Sequence, residues 1–133
     1  MNEPRGAKFA QRVFWWSGVF GVVVLAPMYF LEARIGRDLP PPITHPEYFY
    51  GFVGLALAWQ VLFLMLASDP LHYRPLMIPA VLEKLAWGVP VVALFVQGRL
   101  AVQTFAFGLV DLTLGVLFVI AYLRTAGSEM RAA

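Results

Sequence analysis

Three side chains able to bind a polar group or move a proton sit where such groups are scarce. Gln60, Glu83 and Asp111 each interrupt a long run of apolar residues, and Lys84 directly follows Glu83. A carboxyl group can exchange a proton or accept hydrogen bonds, and a carboxamide donates and accepts at once. None of these residues belongs to a spacing pattern with a fixed mechanism. The chain has no Ser-His-Asp set, phosphate loop, dinucleotide fingerprint or HExxH. Cysteine is absent, which removes disulfides, thiolate metal sites and cysteine nucleophiles. His45 and His72 fall in different connecting segments, on opposite sides of the expected topology, so no metal set and no cofactor are expected. No catalytic residue is assigned. What Gln60, Glu83 and Asp111 can supply is the few convergent polar contacts of an otherwise apolar pocket.

The elements that must position them are apolar helices. Of 133 residues, 60% are hydrophobic and 14% charged, against about 25% charged in soluble domains. The apolar residues come in blocks of roughly 18–22, long enough to cross a bilayer. The expected fold is an all-α integral membrane four-helix bundle, antiparallel and up-down, in one domain with no soluble part. The spans are expected at about 13–31, 45–68, 76–97 and 100–123. The net charge of +2 does not argue for nucleic acid, because the basic residues are scattered and flank apolar blocks, where they set topology.

Local chemistry refines the spans. Ser17, Gly18 and Gly21 allow a neighbouring helix to approach the first span. Pro27 removes a backbone donor and predicts a kink. Pro40-Pro41-Pro42, in a polar loop over 32–44, predicts an extended strut. Thr44 and Glu47 have capping-box spacing at the start of the second span. Pro90 predicts a bend in the third span. Gln97-Gly98-Arg99 is a short turn that makes spans three and four antiparallel neighbours. On span four, Thr104, Gly108, Asp111 and Gly115 share one stripe. The tail from residue 124 is expected to fray.

Depth then weighs the polar groups. Glu83 and Lys84 lie about 10 Å into their span, and Asp111 lies near the midplane, at 1.5 Å per residue. A lone charge at mid-bilayer costs roughly 3 kcal/mol on insertion scales. Lys84 is shallow enough to snorkel to the headgroups, with Glu83 paired to it. Asp111 has no such escape; it can remain protonated and donate a hydrogen bond. Gln60 equally suits interhelical hydrogen bonding.

The side carrying both termini and the 69–75 turn holds Arg5, Lys8, Arg12, Arg74, Arg124 and Arg131, against Arg34, Arg37 and Arg99 opposite. The balance predicts a multi-pass protein of the inner (plasma) membrane with both termini cytoplasmic.

The basic start into a Gly-containing first helix (Arg12 to Gly21), Gly54-Leu55-Ala56 in the second, a Pro/Arg turn, and Leu82-Glu83 before Gly88 resemble the DoxX-like group of small four-helix bacterial membrane proteins. Pro46-Glu47-Tyr48-Phe49 leading into span two, with the intramembrane acids, looks like the EXPERA-type four-helix fold of sterol isomerases and related lipid-binding proteins. That family's set of acids on two adjoining helices is not matched, since span two carries Gln60. The first resemblance implies a non-catalytic small membrane protein that binds or accompanies a membrane partner, or a second copy of itself, in the bilayer. The alternative is an intramembrane pocket for a quinone, sterol-like or isoprenoid lipid, with acid/base isomerisation as its catalytic variant. A proton path through Glu83 and Asp111 is the third reading, and four helices leave it little room without an oligomer.

Overall fold

The computed structural model describes residues 5–129, with side chains through residue 127. The described chain is all helical. Its helices are α1 (Arg5–Leu25), α2 (Glu32–Asp38), α3 (Pro46–Ser68), α4 (Met77–Val96) and α5 (Val102–Glu129). Four stretches are long and apolar enough to cross a membrane: Arg5–Phe30, Pro46–Ser68, Arg74–Val96 and Val102–Gly127.

The helices follow their local chemistry, with some departures from expectation. At Pro27 the missing amide does not simply kink α1; the backbone tightens into a 3-10 turn over Ala26–Phe30. Helix α4 continues through Pro90. Helix α1 begins at Arg5, within the polar leader, and α5 continues through the polar tail to Glu129. That tail is helical rather than frayed; residues 130–133, with Arg131, lie outside the described residues. Arg74 helps to hold it. Its guanidinium donates to Thr125 Oγ1 and to the Tyr122 carbonyl, both at 3.2 Å, and lies 4.0 Å over the Tyr122 ring.

The expected capping box is not formed. Helix α3 has no side-chain cap, and Glu47 Oε1 pairs instead with His45 Nδ1 at 3.0 Å. Nor is the 32–44 loop a plain strut: it opens with α2, and the chain bends at residues 39–41. Tyr50 Oη donates to Glu32 Oε2 at 2.7 Å, which ties the start of α2 to α3.

Helices α1 and α3 pack closely, as do α1 and α5, and α4 and α5, while α3 and α4 hardly touch. The bundle is therefore a curved row, α3–α1–α5–α4, with a seam between its two outer members. Small residues make the close contacts. A Cβ on Gly18 would meet Leu64 of α3, and one on Gly21 would meet the Gln60 carboxamide. Between α4 and α5, Gly88 receives Leu112 and Gly108 receives Val91. Without water between helices to drive apolar burial, such packing is a main source of association in a bilayer.

Gly6 of α1 lies against the Arg124 backbone of α5. The two termini thus share one end of the bundle with the Arg74 turn; α2 lies at the other. Toward the terminal end the core is solid. Ala10, Phe14, Phe63, Leu66, Met77, Ala80, Phe118 and Ala121 form one buried cluster. Phe14, Phe63 and Phe118 meet at ring-centroid distances of 4.3 to 6.2 Å.

Candidate functional site

Directly above that aromatic cluster, on the side toward α2, the helices part around a cavity of about 380 Å³. Its position follows from the sequence. One turn beyond Phe14, α1 offers Ser17 and then Gly21, whose lack of a side chain leaves room for Gln60. One turn before Phe63, α3 carries Gln60. Helix α4 places Glu83 and Lys84 one turn beyond Ala80, and α5 places Asp111 two turns before Phe118.

Gln60, Glu83 and Asp111 all line this one cavity, together with Lys84 and Ser17. The sequence reading of Lys84 is corrected. It does not snorkel; it is 4% exposed, among the most buried polar residues of the chain. Its Nζ lies 3.2 Å from Asp111 Oδ1, to which it donates, and 3.2 Å from Glu83 Oε2. It also lies 5.0 Å above the Phe63 ring, which spreads its charge contacts to α3. Lys84 thus bridges two carboxyl groups that repel each other when both are ionised, and it ties α4 to α5. Desolvation makes such a cluster costly unless every member is paired; Gly115 opposite leaves room for the stem of Lys84.

The pairing of Lys84 had a signal in the sequence. Lys84 and Asp111 are equidistant from the Gln97–Gly98 turn. In an antiparallel hairpin of two helices with equal rise, equidistant residues stand at equal depth. The stripe of Thr104, Gly108, Asp111 and Gly115 accordingly runs along the α4–α5 side: Gly108 meets Val91, Asp111 meets Lys84, and Gly115 meets the Lys84 stem.

Beyond the polar group the walls are apolar save for Thr104. Phe20, Val24, Phe52, Trp87, Phe107 and Val110 surround the upper part. Helix α2 closes over it. Ile35 and Leu39 face the cavity, while Arg34, Arg37 and Asp38 stay exposed and pair among themselves. At the open α3–α4 seam the rings of Phe52 and Trp87 lean together, with centroids 5.2 Å apart. The result is an elongated pocket, polar at its buried end and apolar toward α2. It presents a positioned carboxamide, a hydroxyl and a salt-bridged carboxylate pair to anything whose body fills the apolar part.

His45 and Glu47 stand apart from the cavity, bonded to each other at the exposed start of α3. Comparison with protein-family models, with curated proteins and with solved structures yields no match to this chain.

Proposed function

We propose that this protein is a multi-pass membrane protein whose bundle holds an intramembrane binding pocket for a hydrophobic small molecule with one polar end, of the quinone, sterol-like or isoprenoid kind. The observation that supports the reading is the convergence of Gln60, Glu83, Lys84 and Asp111, from three helices, on a single cavity of about 380 Å³. That volume lies within the range of small-molecule sites, which are mostly apolar with a few placed polar groups. Partner binding alone requires no such chamber. Apolar packing faces would serve it, and four polar side chains largely withdrawn from solvent would cost stability without return.

The polar end of the ligand would reach the buried charges and its body would lie along Phe20, Phe52, Trp87 and Phe107. The termini and the Arg74 turn face the cytoplasm in this reading, because the basic residues concentrate there. The pocket then opens in the half of the bilayer opposite the cytoplasm.

Extraction of the protein from its native membrane, followed by lipid mass spectrometry, tests the reading. A hydrophobic molecule enriched over bulk phospholipid, and lost from a Gln60→Met/Asp111→Leu variant, is the expected result. Bulk phospholipid alone would refute it.

A further inference from the structure

Three buried polar atoms have no hydrogen-bond partner among the described residues: Ser17 Oγ, Gln60 Oε1 and Glu83 Oε2. They come from three different helices, and their residues line the same cavity. Ser17 and Gln60 are 2% and 3% exposed, so bulk solvent does not satisfy them.

The chemistry of this group is one-sided. Gln60 Nε2 donates to the Ala56 carbonyl at 2.9 Å. Because a carbonyl only accepts, this bond fixes the orientation of the amide and leaves the oxygen as the free end. Glu83 Oε2 has Lys84 Nζ as a charge partner at 3.2 Å, outside hydrogen-bond geometry. Amide and carboxylate oxygens accept only, and the Ser17 hydroxyl can do either. With both carboxyls ionised, the neighbouring groups carry one net negative charge, which opposes an anionic ligand.

A ligand end that cannot donate leaves these acceptors unmet, and a buried acceptor without a partner costs affinity. Building on the pocket reading, we infer that the cavity selects a hydrocarbon-bodied molecule whose polar end is a hydrogen-bond-donating hydroxyl. A lipid alcohol and the reduced, quinol form of a quinone share this chemistry. An ether, a quinone or a carboxylate of the same shape does not.

The test titrates the purified chain, in phosphatidylcholine nanodiscs, with farnesol, farnesyl methyl ether and farnesoic acid, and separately with decylubiquinol and decylubiquinone. Binding is read by native mass spectrometry. Farnesol is expected to bind roughly tenfold more tightly than its ether, the loss that accompanies a buried acceptor left unpaired, with the acid weakest. A preference for quinol over quinone of similar size would assign the same hydroxyl chemistry to a quinol source; a preference confined to farnesol assigns it to lipid alcohols.

Gln60→Met is expected to bring the alcohol-to-ether ratio toward one while ether binding persists, and persistence of ether binding shows the pocket intact. Glu83→Gln, which keeps the side-chain shape, is expected to lower the same ratio and to raise the affinity for farnesoic acid. Equal binding of alcohol and ether together with equal binding of quinol and quinone, or tightest binding of the acid, overturns the donor selection and leaves the pocket standing. Failure of all five probes to bind overturns the pocket itself.

Discussion

Lys84 Nζ lies 3.2 Å from Asp111 Oδ1, a charge pair that joins the middles of two apolar helices. It is the only tie between α4 and α5 among the described residues made by oppositely charged side chains, and it forms one wall of the cavity. Its energetics are those of a buried pair: a modest gain when intact and a large loss when one partner goes.

Replacing Lys84 by Met therefore leaves two carboxylates facing each other and is expected to cost about 3 kcal/mol. Asp111→Leu leaves the ammonium with Glu83 as its remaining charge partner and is expected to cost less. The double replacement should recover part of the loss, because it removes the facing carboxyl but still leaves Glu83 without its cation. Unfolding in mixed detergent micelles, read as a double-mutant cycle, checks this; additive single costs would show that the pair is not coupled.

The glycines divide by what a side chain would meet. At Gly6 a Cβ meets the Arg124 backbone, which cannot move aside, and at Gly21 it meets the Gln60 carboxamide. Gly6→Ala is expected to destabilise the fold by about 1–3 kcal/mol through overpacking. Gly21→Ala should do so less in a Gln60→Ala background. Gly51 meets nothing, so Gly51→Ala should be neutral or stabilising by up to about 1 kcal/mol. Thermal unfolding in one detergent ranks the three.

If the seam between α3 and α4 is the route into the cavity, the Phe52–Trp87 ring pair controls it. The chain has no native cysteine, so Phe52→Cys with Trp87→Cys gives a single thiol pair. Bridging it with a short bifunctional reagent is expected to slow probe uptake at least about tenfold, while Phe52→Ala speeds it. Stopped-flow uptake measures both; unchanged rates after bridging would place the route elsewhere.

Sidedness is open to a direct check. Arg37→Cys, on α2, should react with a membrane-impermeant maleimide added to intact cells, and Ala126→Cys, near the end of α5, only after the membrane is opened. Reversed labelling would invert the topology inferred from basic residues.

The four long helices were readable from the sequence because apolar blocks of bilayer length admit few other structures. Gln60, Glu83 and Asp111 stood out for the same reason, as groups too costly to leave in hydrocarbon without a role. What the sequence hid was interhelical. Depth on its own helix makes snorkelling cheap for Lys84, but its partner lies across the hairpin. The polar residues of α2 carry no apolar period and predict a loop; the helix is held by Tyr50–Glu32 and by Ile35 and Leu39 over the cavity. The Thr44–Glu47 box lost to a nearer partner, since His45 reaches Glu47 first. In each case a local rule gave way to a contact made by a different part of the chain.

The packed rings of Phe14, Phe63 and Phe118 have one more effect. They stop the chamber at its charged end, so it is a cul-de-sac and not a corridor. Whatever goes in must come back out the way it came, and no continuous file of water or ions runs from one face of the bundle to the other while the rings stay closed. On the proposed function, a molecule lodged against Lys84 would exchange with one reservoir alone, and its occupancy would read the concentration in that reservoir.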